Sequence, residues 1–72
     1  MDMAKRRLFS DVQRLAILKR SDYRCEICCI ALSPENFHAD HKVPYALGGE
    51  TAVYNGQALC STCNLKKGGR LA

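Results

Sequence analysis

Four cysteines stand in two pairs, Cys25/Cys28 and Cys60/Cys63, and the segment between the pairs carries His38-Ala39-Asp40-His41. Two residues between thiolates let one tight turn offer two sulfurs to the same ion, and a second such turn completes a tetrahedral, four-cysteine zinc site. Four thiolates leave no position for water, so this zinc is structural and not catalytic. The residues between the pairs then belong to a loop closed by metal and are held in place. Asp40 beside His41 in that loop, a carboxylate next to an imidazole, is a candidate catalytic pair.

The elements that must position these groups can be read along the chain. Residues 1–9 read as a flexible basic arm, and residues 10–72 as one domain. Ser10-Asp11-Val12-Gln13 has the form of a capping box, a hydroxyl followed three residues later by Gln, and predicts a helix start. Val12, Leu15, Ala16 and Leu18 or Lys19 give an apolar stripe at helical spacing through about Arg20, and Ser21-Asp22 ends it. Tyr23 to Cys28 reads as a short strand leading into a zinc knuckle. Cys29, the odd thiol, reads as a small buried hydrophobe in preference to a fifth ligand or a nucleophile.

Ser33-Pro34-Glu35-Asn36 is a turn, and Phe37 to Val43 has the length and alternation of a strand ending at Pro44. Such a strand puts His38 and Asp40 on one face and His41 on the other. Gly48-Gly49 marks a loop where the backbone turns or passes close to a neighbour. A second strand is expected from Val53, and a short helix from Ser61 to about Lys67, stopped by Gly68-Gly69.

A chain of 72 residues seldom buries enough apolar surface to be stable without a staple. Zinc is the expected one. Five cysteines cannot all pair within one chain, and the N-terminus has no apolar signal-peptide stretch, so a reducing, cytoplasmic setting is expected over a disulfide framework. No run approaches the roughly 18 apolar residues of a membrane span. Eleven Lys and Arg against seven Asp and Glu leave a formal charge of +4, gathered at the two ends. Arg20 and Arg24 precede the first cysteine pair, and Lys66, Lys67 and Arg70 follow the second. Clusters of this kind attract nucleic acid, or serve only as a solvated face; charge alone does not choose.

Taken in order, Arg20-Ser21-Asp22-Tyr23-Arg24-Cys25-Glu26-Ile27-Cys28, Asp40-His41-Lys42-Val43-Pro44, Gly48-Gly49 and Asn55 through Gly68 resemble the HNH endonucleases of phage and bacteria, specifically zinc-stapled, HNN-type members. The resemblance implies a small α+β domain with the ββα-metal fold, here with an N-terminal helix and the four-cysteine zinc site. It implies metal-dependent hydrolysis of DNA phosphodiesters, by nicking or double-strand cleavage, with RNA not excluded as substrate. In that family pattern Asp40 and Asn64 are oxygen ligands of a catalytic Mg²⁺ or Mn²⁺, and His41 is the general base. Asn55 holds the loop and orients the His41 ring. Lys66, Lys67, Arg70, Arg20 and Arg24 would contact nucleic-acid phosphates, which positions the substrate without specifying sequence.

Each role has a plainer competitor. Asn64 could cap the last helix, Asn55 could be a turn residue, and His38 stands open between an auxiliary ligand or phosphate contact and simple packing. For the whole chain the alternative is a non-enzymatic zinc-knuckle module that binds nucleic acid. A carboxylate at Asp40 argues against that alternative, because it repels phosphate unless a cation lies between them. A protein partner or a homodimer would suit a chain with so little surface to spare.

Overall fold

The computed structural model describes residues 8–67. Ser10 caps the first helix, α1 (Asp11–Arg20), with the expected reciprocal bonds: its hydroxyl accepts from Gln13 N–H, and the Gln13 side chain accepts from Ser10 N–H. Two donors that every helix start leaves unpaired are thereby satisfied. Asp11 in the first turn and Lys19-Arg20 in the last complement the helix dipole. The buried face of α1 differs from the expected stripe. Ile17 and Leu18 are fully buried, whereas Val12 and Leu15 are exposed, because the inward face of α1 runs through Gln13, Arg14, Ile17 and Leu18, with Gln13 bonded to Thr51 and Arg14 over the Phe37 ring.

Strands β1 (His38–His41) and β2 (Gly56–Leu59) form a two-stranded antiparallel sheet, with His38 opposite Leu59 and His41 opposite Gly56. Pairing extends one residue further, through Lys42 N–H to the Asn55 carbonyl. The second strand starts later than the expected Val53. Val53–Asn55 forms a single 3-10 turn instead, and Tyr45–Leu47 forms another in the connecting loop. The short helix α2 (Ser61–Lys67) follows β2 directly. Gly68-Gly69, its expected stop, lie outside the described residues, as does most of the expected N-terminal arm.

The two faces of the sheet are covered by different helices. A Cβ added at Gly56 would run into the Ile17 side chain, so the face shared by Gly56 and Ala58 lies under α1. The opposite face carries Asp40, Gln57 and Leu59 and is met by α2, whose Lys67 reaches Asp40. The core between these layers is small: Phe9, Ile17, Leu18, Cys25, Leu32, Phe37, Ala58, Leu59 and Cys63. Full burial of Ile17, Leu18 and Leu59 contributes about 1.5–3 kcal/mol each, and such a core leaves room for a metal staple. Phe9, assigned from sequence to the flexible arm, belongs to the core and is only 8% exposed.

The knuckle is a turn with little strand in it. Asp22, Tyr23 and Cys29 all take left-handed backbone conformations, and the one bridge joins Arg24 to Ala31. Cys29 is exposed, not buried, and stands in the turn with a φ of +68°. Among the described residues no helix is long and apolar enough to cross a membrane.

Candidate functional site

The sulfurs of Cys25, Cys28, Cys60 and Cys63 all lie within 4.8 Å of one another, and the Cys28 and Cys60 sulfurs are 3.7 Å apart. A regular tetrahedron with zinc–sulfur bonds of about 2.3 Å has edges of about 3.8 Å. The cluster therefore has the size of a zinc site. Local turns build it: Cys29 N–H donates to the Cys25 carbonyl, Cys25 N–H to the Ile30 carbonyl, and Cys63 N–H to the Cys60 sulfur at 3.4 Å. Burial pushes the Cys63 thiol up to about 12, and the neighbouring Cys60, Cys25 and Cys28 sulfurs push the same way. Burial acts upward on Cys25 too, but backbone N–H groups of Cys28, Cys60 and Ile27 outweigh it and bring that thiol down to about 6. Sulfurs crowded in this way call for a cation, and a tetrahedral set of four thiolates suits zinc.

Glu26, inside the first knuckle, links the zinc cluster to the sheet. Its carboxylate accepts from Ala58 N–H at 2.8 Å while its own N–H donates to the Ala58 carbonyl at 2.9 Å. Arg20 then joins Glu26 to the far side of β2, donating to the carbonyls of Val53 and Gly56 and pairing with Glu26 at 3.3 Å. The Arg20 guanidinium stays 37% exposed while it makes these bonds, and Arg24 is also exposed, with a bond to the Cys29 carbonyl.

At the end of β1, Asp40 and His41 leave opposite faces, as alternation requires, yet both border one cavity of about 530 Å³. Phe9, Arg14, Pro44 and Tyr45 also line it. Among the described residues, three contacts fix the His41 ring. Phe9 packs on it with centroids 4.6 Å apart, Tyr45 meets it edge-on at 6.0 Å, and Nε2 lies 2.9 Å from the Thr51 hydroxyl. A hydroxyl both donates and accepts, so the Thr51 bond suits the neutral and the protonated imidazole. Thr51 is itself held to α1, because Gln13 Nε2 donates to its carbonyl at 3.0 Å. Phe9, Thr51 and Gln13 were not picked out as site residues from the sequence; the capping box marks Gln13 only for its local role.

Asn55 is 7% exposed and clasps the loop between the strands. Its Oδ1 accepts from Val43 N–H at 3.0 Å, and its Nδ2 donates to the carbonyls of Val43 and Glu50 at 3.2 and 2.8 Å. Both amide protons are thereby used on backbone. These bonds go to loop backbone, including Glu50 next to Thr51, and not to the His41 ring. Gly49 is needed beneath this clasp, since a Cβ there would stand 1.7 Å from the Val43 carbonyl oxygen, and Gly48 turns the loop at φ +91°. Asn55→Ala would strand three backbone groups, two of them at Val43, and should cost about 2–3 kcal/mol of stability. Urea unfolding of the zinc-loaded protein measures this; a change below about 0.5 kcal/mol would mean that water replaces the clasp.

Asn64 lies inside α2, its N–H donating to the Cys60 carbonyl, so it is a helix-body residue and not a cap. The helical repeat puts it one turn before Lys67. Lys67 is the largest departure from expectation. Its side chain is only 4% exposed, and its ammonium donates to Asp40 Oδ2 at 2.9 Å and to the His41 carbonyl at 2.7 Å. It therefore ties α2 to β1 where a surface phosphate contact was expected. Lys66 is exposed, as is His38, on the Asp40 face of β1. Arg70 lies outside the described residues.

A carboxylate offers about four acceptor sites, of which Lys67 takes one, so Asp40 keeps oxygen for a divalent ion. Asp40 and Asn64 each offer a hard oxygen of the kind Mg²⁺ and Mn²⁺ accept. A further oxygen on the same sheet face stands out. Gln57 Oε1 is, among the described residues, the one buried side-chain nitrogen or oxygen without a hydrogen-bond partner.

No curated protein matches the chain. A family model, HNH endonuclease, matches residues 25–70, which takes in both cysteine pairs, the Asp40-His41 strand end, the Asn55 clasp and α2. With four sulfurs grouped for zinc and the expected small α+β arrangement around them, this chain belongs to the HNH endonuclease family.

Proposed function

We propose that the protein is a metal-dependent endonuclease that hydrolyses DNA phosphodiester bonds, by nicking or double-strand cleavage, with His41 as general base. The observation that carries this reading is the meeting of Asp40 and His41 at one cavity, with the imidazole held by Phe9 and Thr51 beneath a loop clasped by Asn55. Asp40 and Asn64 would hold a Mg²⁺ or Mn²⁺ ion. Bound there, such an ion supplies polarisation of the scissile phosphate and charge neutralisation at the leaving 3′ oxygen. His41 takes the proton of the attacking water, and Thr51 keeps the ring in one plane while it does so. Asn55 is a positioning residue, since it touches only loop backbone. Arg14 on the cavity wall, and Arg24 and Lys66 at the surface, offer cationic contacts for the DNA backbone, which makes binding steeply salt-dependent. RNA cleavage, a protein partner or a homodimer, and a reducing cytoplasmic setting that keeps the thiols available to zinc belong to the same proposal.

One observation favours the rival reading of a zinc module that binds nucleic acid without cutting it. The Lys67 ammonium neutralises Asp40, which removes the repulsion a bare carboxylate would present to phosphate. Supercoiled-plasmid cleavage with Mg²⁺, Mn²⁺ or EDTA separates the two. Divalent-dependent nicking by the parent and none by Asp40→Ala, with unchanged zinc content, is the expected result. Salt-sensitive DNA binding without cleavage under any ion would replace the nuclease reading with the binding module.

A further inference from the structure

The orphaned oxygen of Gln57 has a specific address. Gln57 pairs directly across the sheet from Asp40, so the two side chains leave the same face, with Cβ atoms about 4.5–5.5 Å apart as for any directly opposed pair. That face is the one met by α2, the helix that carries Asn64 and Lys67. The residue is 8% exposed, and an acceptor that deeply placed without a donor is uncommon in a native fold. An apolar side chain of the same shape would have removed the penalty. An amide oxygen retained there, beside a carboxylate and under a helix that brings a second amide, has the chemistry of a cation ligand.

We infer that Gln57, through Oε1, is a third oxygen donor facing the divalent ion held by Asp40 and Asn64. The inference rests on the proposed ion site and adds to it a residue on β2. The site then draws one oxygen from each of three consecutive elements, β1, β2 and α2. Lys67 limits how negative the site becomes, since its ammonium already shares Asp40. Neutral amides at Gln57 and Asn64 add donors without adding charge, which suits an ion that must also accept a phosphate oxygen.

The test is Mn²⁺ binding to the zinc-loaded protein, followed by electron paramagnetic resonance of free Mn²⁺, in the parent, Asp40→Ala, Gln57→Met and Gln57→Glu. Binding lost in Asp40→Ala identifies the relevant ion. Gln57→Met should then weaken Mn²⁺ binding about 10-fold, and its melting temperature without Mn²⁺ should equal or exceed that of the parent. Gln57→Glu should retain or tighten binding, which shows that an oxygen at this position is what matters. Parent-like Mn²⁺ affinity in Gln57→Met, with binding still lost in Asp40→Ala, would overturn this inference alone and assign the orphan to an ordinary water. Absence of any Asp40-dependent Mn²⁺ binding in the parent would overturn the ion site and this inference together.

Discussion

Replacing His41 by alanine should reduce plasmid cleavage by about 10²–10⁴-fold, the usual contribution of a positioned general base. The prediction follows from how much of the structure is devoted to that one ring. Phe9 covers it, Tyr45 meets its edge and Thr51 binds Nε2, while Gln13 holds Thr51 from α1. The substitution also removes the stacking on Phe9 and the Thr51 bond, so a modest loss of stability, on the order of 1–2 kcal/mol, accompanies it. Zinc content and circular dichroism therefore have to be matched to the parent before rates are compared. Given that match, parental cleavage by the alanine variant would remove His41 from the mechanism. An activity that falls with acidification in the parent, and is flat in the variant, would tie the proton-accepting role to this imidazole.

The second large effect concerns the fold itself. Chelating the zinc, or replacing Cys60 by alanine, should unfold the domain, because metal binding to such a site contributes on the order of 10 kcal/mol and the core of Ile17, Leu18, Leu59 and their neighbours is small. The pH dependence has a definite sign. Cys25 lies lowered, to about 6, by the backbone N–H groups that outweigh its burial, so its contribution is present above the ordinary thiol value and is lost as pH falls through about 6. Cys63 behaves oppositely without metal. Burial and the neighbouring sulfurs raise it to about 12, so the metal-free fold favours its protonated form and loses that contribution as pH rises towards 12. Zinc reverses the preference by demanding thiolate, and its binding must then release protons. The zinc-loaded domain should melt progressively lower on acidification, with zinc release in step, because protons compete with the ion for the thiolates. A Cys60→Ala protein with parental circular dichroism and melting would show that the sulfur cluster is not the staple.

What the sequence by itself determined was local or carried by ligand spacing. The two CxxC turns named the zinc site because their chemistry needs only two residues between sulfurs and one ion to join the pairs. The Ser10/Gln13 capping box placed the start of α1 because all its partners lie within one turn. The adjacency of Asp40 and His41, and their departure from opposite faces, followed from strand alternation alone. Gly48 and Gly49 marked the loop because Gly48 turns at φ +91° and a Cβ at Gly49 would strike the Val43 carbonyl. The tertiary structure decided the rest, through pairings between residues far apart in the chain that no local pattern encodes. Lys67 reads as a surface cation, yet it is buried against Asp40, and the exposed Arg20 also joins Val53, Gly56 and Glu26. Phe9 sits in a basic stretch and reads as arm, but a core this small recruits whatever aromatic ring can cover it. Charge and composition fix only what a side chain can offer; its partner is fixed by which backbone segments the zinc cluster and the sheet bring within reach.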